Sequence, residues 1–148
     1  MQLVDILTKT ERYLRERGVD APRLEAELML GKVLGLPRMK LYLQFDRPMA
    51  DAELDKLRPL VARRGKREPL AWILGTAAFY GIDSLAVQPG VLVPRPDTEA
   101  LVDAILEHIE PGTPTYIADV GCGSGAVGLA VATERPDVRV YATDISPD

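Results

Sequence analysis

Cysteine is nearly absent: this 148-residue chain has one, Cys122. An internal disulfide is therefore excluded, and the composition suits a reducing compartment. Histidine is as scarce, with His108 alone. One His and one Cys cannot build a zinc site of nitrogen and sulfur ligands. No uninterrupted apolar run approaches the roughly 20 residues of a membrane helix. The N-terminal stretch from Met1 to Gly18 is charged throughout and lacks the apolar core of a signal peptide. Positive charge is not in excess, since the formal net charge is −4, which counts against a dominant nucleic-acid footprint. Internal repeats and low-complexity tracts are missing. A cytoplasmic, metal-free protein is the expectation. What remains is ordinary globular composition, 47% hydrophobic and 27% charged, long enough for one domain or two small ones.

The first part reads as helices. Leu3, Ile6, Leu7, Thr10, Tyr13 and Leu14 recur at three- and four-residue spacing, and Gly18 ends that segment. Asp20-Ala-Pro22 predicts a second start, with Asp20 as N-cap and proline in the first turn. Leu24, Leu28, Leu30, Val33 and Leu34 form its stripe, closed by Gly35. A short third helix is expected from Pro37 to Tyr42. Asp51 is expected to cap a fourth, carrying Leu54, Leu57, Leu60 and Val61, with Pro59 kinking or interrupting it. The helices make a bundle of about 70 residues, near the lower limit for independent stability. The basic run Arg63-Arg-Gly-Lys-Arg67 reads as a solvated face favoured at a helix C-terminus, or as a docking patch for an acidic partner.

Composition then changes. Trp72 to Tyr80, Gly81, and Ser84 to Gln88 read as extended segments around turns, with Gly75 to Gly90 a hairpin-like connector. Trp72 is expected to pack in a core or interface rather than stack on a ligand. In Val91-Leu-Val-Pro-Arg-Pro-Asp-Thr-Glu99, two prolines stiffen the backbone around Arg95 and start another helix, with Asp97 or Thr98 as cap. Leu101, Val102, Ile105, Leu106 and Ile109 form its buried stripe, and Pro111-Gly112 ends it. Arg95 reads as part of a rigid helix start or as a pre-oriented functional group. His108 is expected at the surface, favoured by the helix dipole.

The most informative stretch is Asp119-Val-Gly-Cys-Gly-Ser-Gly125. Tyr116 to Val120 predicts a buried strand. Gly121, Gly123 and Gly125 permit positive φ and close backbone approach to a ligand. Ala126 to Ala132 suits a helix packed on a sheet, stopped by Arg135-Pro-Asp137. Val138 to Thr143 predicts a second strand, parallel to the first through a right-handed crossover. Asp144 falls at its C-terminal tip, where open α/β sheets bind ligands. Two cofactors fit. Gly121-x-Gly123-x-x-Ala126 also meets a loose dinucleotide fingerprint, and Asp144 suits a ribose diol in either case. Asp119 favours S-adenosylmethionine over a dinucleotide, because a carboxylate there repels a pyrophosphate and attracts an ammonium or sulfonium. A glycine-rich turn with no ligand is the third alternative.

Taken together, Arg63-Arg64, Arg67-Glu-Pro-Leu-Ala-Trp-Ile-Leu-Gly75, Phe79-Tyr-Gly81, Val91 to Glu99 and Asp119 to Gly125 resemble the release-factor glutamine N5-methyltransferases of the HemK/PrmC type. The resemblance covers essentially the whole chain. The glycine motif is shared by many methyltransferases, whereas the ordered set of upstream motifs is specific. It implies a fold of three parts: a helical substrate-recognition domain over 1–73, a β-hairpin connector over 74–94, and the first β-α-β part of a Rossmann-like α/β methyltransferase domain over 95–148. It implies S-adenosylmethionine as cofactor and a peptide-chain release factor as partner, methylated on the glutamine amide of its Gly-Gly-Gln motif. Asp119, Gly121, Cys122, Gly123, Ser124 and Gly125 would hold the methionine part, and Asp144 the ribose. Arg95 and Thr98 would lie near cofactor and substrate, and the helical domain would help to hold the release factor. Trp72 stands where a tyrosine is common in the family.

The family's Asn-Pro-Pro-Tyr motif, which holds the glutamine amide, does not occur in this sequence. No catalytic residue is therefore assigned, and the 148-residue chain is expected to be a truncated form, inactive alone. Two further readings stand beside this one. One is a methyltransferase acting on a nucleic-acid amino group, against which the acidic balance counts. The other is a non-catalytic helical module that binds a protein partner.

Overall fold

The computed structural model describes residues 1–146; positions 147 and 148, the last two of the expected 95–148 segment, lie outside the described residues. The chain divides into two compact units, Met1–Leu74 and Gly75–Asp148.

The first unit is helical: α1 (Leu3–Glu16), α2 (Pro22–Leu34), α3 (Arg38–Leu41), a 3-10 turn at Tyr42–Gln44, α4 (Asp51–Gly65) and α5 (Leu70–Leu74). Leu3, Leu7, Thr10 and Leu14 are buried along one face of α1, as their spacing predicts. Leu3, Leu7 and Leu14 belong to a core with Ala26, Met29 and Leu30 of α2, Leu57 of α4 and Ile73 of α5. The stripe of α2 is not the expected one. Ala26, Glu27, Met29, Leu30 and Gly31 are buried, while Leu24 is exposed. The cause is a charge turned inward. Glu27 accepts from Arg23 Nε (2.8 Å), Arg38 Nε (2.5 Å) and the Tyr42 hydroxyl (2.6 Å). Ion pairing makes that burial tolerable and fastens α2 to α3 and the 3-10 turn.

Both expected caps shift by one residue. Ala21 and Ala50, not Asp20 and Asp51, are the N-caps of α2 and α4. Glu53 closes the start of α4 by accepting from Ala50 N (2.9 Å). Pro59 does not interrupt α4, which continues to Gly65. Pro59 and Asp55, whose carbonyl proline cannot pair, both lie on the exposed face of the helix. The basic run sits at the C-terminus of α4 as expected, with Lys66 and Arg67 exposed, but its three arginines also have partners within the chain. Arg63 pairs with both oxygens of Glu68 (2.8 and 2.5 Å), and Arg64 with both oxygens of Glu25 (2.5 and 3.0 Å). Arg67 donates to the carbonyls of Arg17 and Gly18. These cations are internal fasteners. Trp72 lies in α5 rather than in an extended segment, and it is half-buried.

The second unit begins with an antiparallel hairpin, β1 (Thr76–Phe79) and β2 (Ile82–Ala86), turning at Tyr80-Gly81. Then come α6 (Pro96–His108), β3 (Thr115–Val120), α7 (Ala126–Glu134) and β4 (Val138–Thr143). Phe79 and Leu85 of the hairpin share a core with Val102, Ala130, Val131 and Val138. Glu99 and Asp103 of α6 accept from Tyr80 N (3.0 Å) and the Tyr80 hydroxyl (2.6 Å), which ties helix to hairpin. The α6 stripe is narrower than expected, since Leu101 is exposed. The helix stops at His108, before Pro111-Gly112, and His108 is exposed. Arg95, not Asp97 or Thr98, is its N-cap residue.

β3 and β4 pair in parallel through α7, in register from Thr115 with Val138 to Val120 with Thr143. The expectation of a fully buried strand fails: β3 alternates between half-buried and exposed. Ile117 and Val140 belong to the core that includes α7, while Tyr116, Val120 and Tyr141 are exposed on the other face. There the Tyr116 and Tyr141 rings stack at 6.2 Å.

Candidate cofactor site

The site forms where β3 and β4 end side by side. Parallel pairing brings both C-terminal tips to one edge, so the loop after β3 and Asp144 after β4 meet. Gly121, Gly123 and Gly125 have φ of +76°, +53° and +73°. A Cβ at Gly121 would meet nothing within 4 Å, so backbone sign rather than crowding selects glycine there. Gly125 in the left-handed region turns the chain into α7.

The amides of Gly121, Cys122, Gly123 and Gly125 are bonded inside the chain. Gly121 N and Cys122 N both donate to Thr143 O (2.7 and 3.0 Å), and Gly125 N donates to Cys122 O (2.8 Å). Gly123 N donates to Asp144 Oδ2 (2.8 Å), and Gly128 N, in the first turn of α7, donates to Asp119 Oδ2 (3.1 Å). A dinucleotide site offers loop amides and a helix N-terminus to a pyrophosphate. Here two carboxylates already occupy two of those donors. Of the two, Asp144 presents its negative charge at the loop, which suits a cationic or hydroxyl-bearing group better than a phosphate.

Asp119, expected to meet the ligand, lines neither of the cavities at this loop. It faces α7 and anchors the first turn of that helix. A Cβ at Gly128 would sit 3.0 Å from Asp119 Oδ2 and 2.9 Å from Val140 Cγ1, so glycine makes the close approach possible. Asp144 lies at the cavity itself. The amides of Ser146 and Gly123 hold its carboxyl below the usual carboxylate range, so it stays ionised at neutral pH.

A cavity of about 300 Å³ opens between Asp144, Ser146, Gly121 and Gly123 on one side and the segment from Gln88 to Leu92 on the other. A second, of about 290 Å³, adjoins Ser124 and Gly123 and is also walled by Gln88 and Val91. The structure therefore brings together Gly121, Gly123, Ser124 and Asp144 of the expected site. Cys122 sits within the loop, half-buried, held by its backbone. Arg95 and Thr98 do not line either cavity. They stand at the start of α6, where Thr98 N donates to Arg95 O (2.9 Å). The wall from Gln88 to Leu92 is not among the expected site residues; most of it falls in or beside the segment expected as a hairpin-like connector, and its Pro89-Gly90 pair is a turn signal. Among the described residues, no cluster of three or more His, Cys, Asp or Glu is placed to hold a metal. No helix among them is long and apolar enough to cross a membrane.

Comparison with known proteins agrees with this two-part construction. Residues 5–75 match the family described as PrmC N-terminal domain, and residues 96–148 match the methyltransferase small domain. The release factor glutamine methyltransferase of Geobacter sulfurreducens is 44% identical over 142 residues, which cover 96% of this chain and 49% of that protein. That of Moorella thermoacetica is 42% identical over 147 residues, covering 99% and 52% respectively. The chain spans about half the length of the curated relatives it matches. The chain thus carries a PrmC N-terminal domain followed by the start of a methyltransferase small domain, and over nearly its whole length it is similar to the first half of release factor glutamine methyltransferases.

Proposed function

We propose that this chain carries the donor half of a methyltransferase site that serves N5-methylation of the glutamine in the Gly-Gly-Gln motif of a release factor. The observation that carries the cofactor assignment is the internal commitment of the Gly121, Cys122, Gly123 and Gly125 amides, with Asp144 as the acceptor for Gly123 and Asp119 taking the Gly128 amide of α7. When bound, S-adenosylmethionine supplies an electrophilic methyl group on a sulfonium centre.

The roles of the chain's own residues follow. Asp144, ionised and oriented by two amides, accepts from the ribose hydroxyls. Gly121 to Gly125 let the backbone pass close to the methionine part, and the carboxylate field favours its ammonium and the sulfonium. Arg95 and Thr98, at the start of α6, serve the substrate side rather than the cavity wall. The helical unit, residues 1–74, holds the release factor. An amide nitrogen is a weak nucleophile, so the reaction depends on positioning more than on a strong base.

The test joins this chain to the C-terminal half of the Geobacter sulfurreducens relative, which completes the domain. The chimera is assayed with labelled S-adenosylmethionine and a release factor. Label in the Gly-Gly-Gln peptide, lost when that glutamine is replaced by alanine, is the expected result. Label in nucleic acid but not in the release factor would overturn the substrate assignment. Titration of the 148-residue chain itself with S-adenosylmethionine and with NAD checks the cofactor: binding of NAD alone would overturn it.

A further inference from the structure

The segment after the hairpin has a geometry that the family-level reading does not use. Gln88 O accepts from Val91 N (3.1 Å), closing a four-residue turn. Pro89 fixes φ at the second position, and Gly90 at the third has φ +95°, the pattern of a type II turn. This rigid turn stands against the glycine loop: Val91 Cγ1 is 3.9 Å from where a Gly123 Cβ would lie. Both cavities at the loop are lined by Gln88, Val91 and Gly123, so the turn is a wall common to both. From Ala86 to Leu92, Gln88 alone has a polar side chain. It is exposed, and it shares the larger cavity with Asp144.

We propose that Gln88 is a cofactor-contact residue, its carboxamide hydrogen-bonding the adenosine portion of the ligand from the wall opposite Asp144. This rests on the S-adenosylmethionine reading above. A carboxamide both donates and accepts, which matches a ribose hydroxyl or an adenine edge. Because Pro89 and Gly90 pre-set the turn, little backbone freedom is lost on binding. Recognition of the nucleoside thus comes from two sides: a carboxylate after β4 and a neutral amide after β2.

Calorimetric titration of the 148-residue chain with S-adenosylhomocysteine, and competition by adenosine and by methionine, test this. Gln88→Ala is expected to weaken S-adenosylhomocysteine and adenosine about fivefold, the loss of one hydrogen bond, and to leave methionine competition unchanged. In the unsubstituted chain, the Gln88 side-chain NH2 resonances should shift on adding adenosine. Wild-type affinity in Gln88→Ala, with an unchanged melting curve, would overturn the proposal. So would equal losses for adenosine and methionine, which would move the contact off the nucleoside. If the unsubstituted chain takes up no S-adenosylhomocysteine while Asp144→Ala behaves identically, the cofactor reading itself falls and this inference with it.

Discussion

Two carboxylates show how differently the same group can be used. Asp144 is exposed, and its charge is stabilised by the Ser146 and Gly123 amides. Asp144→Ala should weaken S-adenosylmethionine about 10- to 100-fold, the range for a charge-assisted hydrogen bond. Its folded pKa lies below the ordinary 3.8. Affinity measured by calorimetry should therefore stay flat from neutral pH to about pH 5 and fall only in more acid solution. Glu27 is buried and structural. Burial pushes its pKa up, but the bonds from Tyr42, Arg38 and Arg23 outweigh that and hold it below 4.5. A depressed carboxyl contributes stability above its unfolded pKa, and that contribution is lost as pH falls through the folded value. Glu27→Ala should cost about 2–3 kcal/mol in urea unfolding at pH 7, with a smaller deficit in acid. The figure is below that of a fully enclosed pair because Arg23 and Arg38 remain 38% and 46% exposed.

At the scale of the element, α7 and its two flanking strands depend on one close contact. Alanine ordinarily favours a helix over glycine, yet Gly128→Ala would drive a methyl into Val140 and Asp119. The net effect should be a loss of about 1 kcal/mol, read as a lower urea midpoint and partly restored by adding Val140→Ala. Local signals in the sequence located these elements well. Leucine spacing placed α1, and the three glycines with Asp144 marked a loop and a strand end that the fold brings together. What they could not reveal depended on distant partners. Leu24 yields its place to Glu27 because Arg38 and Tyr42 come from another element. Arg64 looks like a surface cation until Glu25, 39 residues earlier in sequence, is brought beside it. The wall at Gln88 was invisible for the same reason: nothing local says that a turn after β2 faces a loop after β3.

Over the whole molecule, the two units are built to different degrees of closure. In the first, Leu3, Leu7, Leu14, Met29 and Leu30 are fully buried. In the second, the β3–β4 pair has one covered face and one on which Tyr116, Val120 and Tyr141 are 67%, 81% and 57% exposed. Backbone protection follows buried apolar contact. Amides of α1 and α2 should therefore exchange with deuterium more slowly than those of β3 and β4, as mass spectrometry of the intact chain would show; the reverse order would contradict the packing. The fastened basic run has a consequence for handling. Trypsin cuts after arginine and lysine, and no stretch is richer in them than 63–67. A protease needs a segment that can be drawn out into its cleft. Arg63 and Arg64 sit in the last turns of α4 with their guanidinium groups bound to Glu68 and Glu25. Brief digestion should leave those two bonds intact, so that half of the cationic sites in the richest stretch of the chain should be among the slowest to be cut.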